Sequence, residues 1–394
     1  MNRFPSREAA IVGIGATEFS KDSGRSELTL ALECILSALH DAGLTASDVD
    51  GLSTFTMDTN SEEVIARNLG LPGLNFFSRI HFGGGAAAAP FQQAILAVTS
   101  GVAECVVVYR AFNERSGVRF GQGPPPGKAR ATTENEYRSW VNPYGLLTPA
   151  QHVAMAARRY LHASGATSED FGRVAVLARK HAATNPRAWF HGRPLTLAEH
   201  QESRWIVEPL HLYDCCQETD GGQALVVVSA ERARDLPNPP AYLAAAAQSI
   251  GPDQHNMTSY YREDLARVPE LARCAEQLWR QSGLGPDAMD AAVLYDHFTP
   301  YVLNQLEEYG FCEPGEARHF VADGHLEVDG RLPTNTHGGQ IGEGYLHGVN
   351  GVAEGVRLIR GSSVNQPAKQ IRHALVTGGV GVPTSALVLA ADPG

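Results

Sequence analysis

The stretch AECVVVYRAF at 103–112 leaves little choice of environment. Its apolar residues run on without polar alternation, so neither face of the strand it implies can rest on water. Such a strand belongs inside a sheet covered on both sides, and the first 112 residues supply the covers. AAIVGIGATEF (9–19) reads as a buried strand and a turn, and LTLALECILSALHDAG (28–43) has helical periodicity and stops on a glycine. DVDGLSTFT (48–56) reads as a short strand. FFSRIHFGGGAAAAPFQQAILAVTSG (76–101) reads as a glycine loop opening a helix of small residues. Strands and helices in alternation imply an α/β layered fold.

The order then repeats. Residues 113–148 are rich in Gly, Pro and Arg and lack periodicity, which marks a long loop or excursion. Helices are expected at about 150–163 and 168–185, a linker with a short helix over 185–200, and a buried strand followed by a helix over 220–236. AYLAAAAQSI (241–250) opens a second set. It continues with a helix at about 259–282, a strand at 291–298, a helix at about 300–309, a glycine loop leading to a helix near 346–360, and strands at 373–381 and 384–391. Two strand–helix series of related order imply an internal duplication. The expected division is 1–112 plus 206–238 for the first half, 113–205 for a loop domain and 239–394 for the second half.

Composition narrows the function. A net charge of −11 argues against general nucleic-acid binding, and the sequence has no P-loop, zinc-finger spacing or long basic block. The start, MNRFPSREAAIVGIGATEF, lacks the apolar core of a secretory signal, and no run of ~18 apolar residues predicts a membrane span. The cysteines, Cys34, Cys105, Cys215, Cys216, Cys274 and Cys312, show neither a disulfide framework nor metal-ligand spacing, so a reducing cytoplasm and no metal are expected. The sequon at 256–258 matters only in a secreted chain. Gly13 and Gly15 begin a dinucleotide fingerprint, but Glu18 stands where its third glycine belongs.

The densest glycine segment is NTHGGQIGEGYLHGVNG (335–351), in which six of seventeen residues are glycine. Such loops make tight turns or approach a ligand closely. This one also carries Tyr345, His337 and His347.

In this order, AAIVGIGATEF, DAGLTASDVDGLSTF, HAATNPRAWF, DCCQETDGGQALVVVSAERARDL, LPTNTHGGQIGEGYLHG and LVTGGVG resemble the thiolase superfamily, in its sterol-carrier-protein-type or lipid-transfer-protein branch. The resemblance covers nearly the whole chain. It implies a five-layered α/β/α/β/α thiolase fold of two similar halves with a loop domain, and a dimer across one sheet edge. Thiolases carry Cys-x-Ser/Thr-Gly at the first glycine helix, where this chain has Phe82-Gly83-Gly84-Gly85. Their second cysteine precedes the last glycine turn, where this chain reads HALVTGGVG. Without either thiol there is no acyl-enzyme, and ordinary thiolase chemistry is not expected. At two further family positions, Asn-Glu-Ala-Phe (His-Asp-Cys-Phe in this branch) is replaced by Tyr295-Asp296-His297-Phe298, and Gly-His by Gly344-Tyr345.

The paired tyrosines are similar to the pattern of actinobacterial steroid side-chain-cleaving aldolases, which lack the thiolase cysteines and work with a partner containing a DUF35 (OB-fold) domain. That resemblance implies retro-aldol cleavage of a β-hydroxyacyl-CoA to a steroid ketone and a short acyl-CoA such as propionyl-CoA. It implies no cofactor beyond the CoA of the substrate, and a homodimer within a heterotetramer. Tyr295 is expected to handle the hydroxyl proton and Tyr345 the α-carbon proton, with the roles exchangeable. On a strand His297 would share the side of Tyr295 and Asp296 would face away. His297, His337, His347 and Asp296 are supporting candidates. Gly83, Gly84, Gly85, Gly378, Gly379 and Gly381 are candidates for an oxyanion hole. Arg115, Arg119, Lys128 and Arg130 could meet CoA phosphates or a partner, or belong to a solvated loop. Two other readings stay open: a catalytically silent lipid-binding or scaffold subunit, and, last, residual thiolase activity through Cys215 or Cys216.

Overall fold

The computed structural model describes residues 4–81, 83–117, 119 and 139–394; Phe82, Lys128 and Arg130 lie outside them. The strands are β1 (Ala9–Ala16), β2 (Gly51–Phe55), β3 (Phe76–Ile80), β4 (Cys105–Asn113), β5 (Trp205–Val207), β6 (Leu210–His211), β7 (Asp220–Ser229), β8 (Ala241–Ser249), β9 (Ala291–Val293), β10 (His373–Thr377) and β11 (Thr384–Ala390). Nine of them form one hydrogen-bonded series, β3-β2-β4-β7-β1-β8-β11-β10-β9, while β5 and β6 make a separate ribbon.

The series is two half-sheets joined at a narrow seam. β1 and β8 pair only through Ala10–Tyr242 and Ile11–Ala241. In the first half β2 runs parallel to β3 and β4, and β7 is antiparallel to β4 and β1. In the second half β9 runs parallel to β10, and β11 is antiparallel to β10 and β8. A parallel bridge from Ala292 to Thr334 stands where β3 stands in the first half. The duplication is thus present in strand order and direction.

The burial pattern explains the layers. In β4, Val106 and Val108 point into one core, while Cys105, Val107 and Tyr109 point into the other. The first core lies between the half-sheets and holds the helices Ala89–Thr99 and Val349–Arg360, each touching strands of both halves. The helix Glu27–Ala42 covers the outside of the first half, and Pro269–Ser282 and Thr299–Glu308 cover the second. The result is α/β/α/β/α. Among the described residues no helix is long and apolar enough to cross a membrane.

Close helix–strand approach accounts for the glycines of GIG. A Cβ on Gly15 would overlap the backbone of Cys34 and Ala38, and one on Gly13 would overlap the carbonyl of Ala38. They are needed for packing against Glu27–Ala42, a helix capped by the Ser26 side chain and ended by left-handed Gly43.

Several elements differ from the sequence reading, which has no counterpart of the helix Glu62–Leu69 and extends β10 beyond Thr377. Phe76–Ile80, read as part of a loop, is the edge strand β3; one side pairs with β2, and Phe77 is exposed. The helix expected from about 259 begins at Pro269, whose ring suits the first helical turn. The strand expected over 291–298 leaves the ladder after Val293, because side chains take its backbone groups. Leu294 N–H donates to Asn335 Oδ1 (2.9 Å) and Tyr295 N–H to Thr377 Oγ1 (2.9 Å).

Gly15→Ala should force the helix away from β1 and cost about 1–3 kcal/mol. Gly24→Ala, at a left-handed turn with open space around it, should cost about 1 kcal/mol. Urea midpoints of the two variants, at unchanged m-value, provide the measurement.

Candidate active site

The chain leaving β9 and the glycine loop before Val349–Arg360 bring two phenols together. Tyr295 is clamped through its backbone: besides the Thr377 bond, its carbonyl accepts from Gln305 Nε2 at 2.9 Å. Tyr345 is held by Thr219, whose Oγ1 accepts the Tyr345 N–H at 2.8 Å. The two hydroxyls then share a hydrogen bond 3.0 Å long, Tyr295 Oη to Tyr345 Oη. Phe112, Leu346, Phe19 and Cys216 pack around the pair. Glycine makes room for it. A Cβ on Gly84 would overlap the Tyr295 hydroxyl, and one on Gly348 would lie 2.7 Å from the Tyr295 ring.

Burial sets the charge states. It holds both phenols protonated, well above the usual tyrosine range; for Tyr295 the bond to Tyr345 opposes this in part. His297 lies against Tyr295 (4.8 Å between ring centres) and stacks on Tyr301, and burial pulls its pKa down to about 3. His347 lies 5.0 Å from the Tyr345 ring; burial and then the Arg110 charge keep it neutral. Glu114, at the end of β4, is pushed well above the carboxylate range by burial and then by Glu218. Lys21 falls to about 8 through burial and the nearby Arg115. Lys21 thus still carries its charge at pH 7, while the two phenols, the two imidazoles and Glu114 are neutral there. These neutral groups are arranged to move protons without leaving a buried charge.

Other predicted residues lie elsewhere in the loop's support. Asp296 lies against the glycine loop: its Oδ1 accepts Gln340 N–H at 2.6 Å, and a Cβ on Gly339 would overlap its carboxylate. Burial raises its pKa to about 6. His337 is buried 3.9 Å from Glu343 Oε2, and its carbonyl accepts from Asn185 Nδ2. Asp296 Oδ1 and the His337 backbone thus brace the glycine loop, while Asp296 Oδ2 and both ring nitrogens of His337 are buried without a hydrogen-bond partner among the described residues.

The glycine turns also divide. Gly83 and Gly84 border His347 and Tyr295, while Gly85 packs on the Pro383 carbonyl and Gly381 on Tyr301 and Met257. Gly378 N–H donates to the Ser385 carbonyl (2.6 Å) and Gly379 N–H to the Gly84 carbonyl (2.7 Å). These two N–H groups are occupied, which corrects their expected use as oxyanion donors. The Arg119 guanidinium pairs with Glu218, and Arg115 uses its backbone N–H on Asp220.

Sequence reasoning missed Arg110, Asp58, Glu114, Lys21 and the placement of Cys216. The available signal was Arg110 itself, a charged residue inside the apolar run of β4 and 1% exposed. Burial holds the Cys216 thiol protonated, well above its usual range, which removes its nucleophilic form.

The duplicated sheets with glycine loops before two central helices define a thiolase-class protein. In agreement, the thiolase C-terminal domain-like family matches residues 251–391. A steroid side-chain-cleaving aldolase of Thermomonospora curvata is 65% identical over 98% of both chains. A 17-hydroxy-3-oxo-4-pregnene-20-carboxyl-CoA lyase of Mycobacterium tuberculosis is 61% identical over 98% of this chain and 99% of that one. A solved Ltp2-ChsH2(DUF35) aldolase superposes with a TM-score of 0.95, at 63% identity over 99% of each chain. The chain belongs to the steroid side-chain-cleaving aldolase family of the thiolase superfamily.

Ultraviolet titration of the protein against its Tyr295→Phe and Tyr345→Phe variants should show no phenolate from either residue at pH about 10, where an exposed tyrosine is half ionised. The folded pKa values are raised, so their contribution to stability is complete below pH about 10 and is lost as the pH climbs further. Phenolate absorbance from either residue near neutral pH would contradict the neutral pair.

Proposed function

We propose that this chain cleaves the side chain of a steroid β-hydroxyacyl-CoA by a retro-aldol step, in complex with a DUF35-domain partner. The observation that carries the reading is the buried hydrogen bond between Tyr295 and Tyr345, 3.0 Å long, in a chain whose relatives are named aldolase and lyase. In the M. tuberculosis relative's named substrate the 17-hydroxyl is β to the thioester carbonyl borne on carbon 20. Breaking the bond between those carbons leaves a ketone on the ring and propionyl-CoA. The substrate brings the CoA, and the step needs no other cofactor.

The step is proton-neutral overall. The hydroxyl loses its proton as the C–O bond becomes a carbonyl. The electrons of the broken carbon–carbon bond form an enolate on the thioester oxygen, and the α-carbon takes up a proton. Because burial opposes a free phenolate, a hand-over along the pair fits best. Tyr295 accepts the hydroxyl proton while passing its own to Tyr345, which delivers one to the α-carbon. Each phenol can donate or accept in that bond, so the hand-over needs no rearrangement of the pair. The Gly83–Gly84 turn borders the place for the thioester oxygen. No cysteine takes part.

The assembly is a homodimer within a heterotetramer with the partner, acting in the cytoplasm. All six cysteines are free thiols, in accord with a reducing compartment. Light scattering of the co-purified complex measures the stoichiometry.

The complex should release ketone and propionyl-CoA from a 17-hydroxy-20-carboxyl-CoA steroid. Tyr295→Phe and Tyr345→Phe should each lower kcat by about 10²–10⁴ with the complex intact. No cleavage by the wild-type complex across side-chain lengths would sink the proposal. Full activity in both variants would favour the scaffold reading.

A further inference from the structure

Resting on the retro-aldol reading, we propose that Arg110, held by Asp58, is a positioning residue that fixes His347 as a neutral imidazole with its proton on Nε2, and that this N–H is the side-chain donor for the enolate oxygen.

Arg110 is a buried cation in an apolar strand, a costly placement that needs a partner. Asp58, fully buried, supplies it at 3.0 Å. The same carboxylate accepts the N–H of Ala111 (3.1 Å) and both the N–H and side-chain amide of Asn60 (2.9 Å each). Asp58 is thereby rigid, and it makes Arg110 rigid. The guanidinium also lies 4.0 Å over the Phe112 ring.

From this position Arg110 Nε–H reaches His347 Nδ1 at 3.2 Å. A guanidinium has no lone pair to offer, so Nδ1 must be the acceptor. The proton of a neutral imidazole then sits on Nε2. The cation beside the ring also opposes a second proton, reinforcing burial. The ring plane is set by Phe112, stacked at 5.0 Å and 20°, and by the edge of Phe55. Among the described residues, the titratable or charged groups facing His347 include Arg110, backed by Asp58, and the rings of Tyr345 and His297.

Nε2 points to the Gly83 turn: a Cβ on Gly83 would lie 2.6 Å from it. Gly84, next in the chain, faces the Tyr295 hydroxyl. The Nε2–H and the tyrosine pair thus border the same turn. His347 holds this place at φ +51°, a left-handed backbone uncommon for a side-chain-bearing residue. A fixed neutral N–H aimed where charge develops stabilises it without reorganisation or a proton to lose.

The test uses the complex with its partner and ¹⁵N-labelled histidine, with the His347 signals assigned by their loss in His347→Gln. The expected result is an unprotonated Nδ1 and a protonated Nε2, unchanged between pH about 5 and 8, across the ordinary histidine range. The opposite tautomer, or titration in that window, overturns the lock. In kinetics, His347→Leu should lower kcat about 10²–10³-fold with KM little changed. His347→Gln, which keeps an N–H near the Nε2 position, should recover most of that loss. Equal kcat in the wild type and His347→Leu overturns the donor role. The paired change Asp58→Asn/Arg110→Gln removes both buried charges together. It should let the Nδ1-protonated tautomer of His347 appear and lower kcat with KM little changed. A tautomer and kcat identical to the wild type overturn the positioning role. Failure of the wild-type complex to cleave any steroid overturns the retro-aldol reading instead, while the tautomer measurement still decides the lock.

Discussion

The central helix layer governs this structure. Two half-sheets can share one layer of helices only if those helices are lined with small or compact side chains. Ala89, Ala94, Ala97, Val352 and Ala353 meet that demand and lie buried between the halves. Each central helix is entered through a glycine turn, Gly83–Gly85 in one half and Gly338–Gly348 in the other. Sharing the layer places those two turns against each other, so the candidate site follows from the duplication of the fold.

What the site can do follows from its dryness. Phenols, imidazoles and a carboxylic acid are gathered where ionisation is opposed by burial, and Asp58 compensates the one buried guanidinium among them. In such surroundings a covalent thiolate would be disfavoured, as the protonated Cys216 illustrates. Proton transfer between neutral partners keeps the cost of buried charge low throughout.

The two-faced burial of β4, the repeated element order and the meeting of Tyr295 with Tyr345 were legible in the sequence, the last through family resemblance. The rest failed for identifiable reasons. Phe76–Ile80 pairs along one edge and is only partly buried, so its pattern is that of a loop. The end of β9 depends on Asn335 and Thr377, 41 and 82 residues away, and no local signal reports them. The Arg110 network joins residues 52 and 237 positions apart. Gly13 and Gly15 looked like the start of a nucleotide fingerprint because a close helix and a close phosphate make the same demand for a missing Cβ. Asp296 stood beside Tyr295 in the sequence, but one of its carboxylate oxygens is taken by the backbone of the glycine loop, 44 residues on.

The contacts that define the site cross from one half of the molecule to the other. Arg110 and Gly83 meet His347, Gly84 meets Tyr295, and Thr219 holds Tyr345. A Cβ on Gly348 would already come within 3.0 Å of Ala87 Cβ, so the gap there is about one methyl group wide. The small-residue layer is therefore a spacer as well as a core. Its thickness sets how far apart the two sets of reacting groups stand, and a substitution deep in the alanine helix would act on the chemistry as a change in gauge.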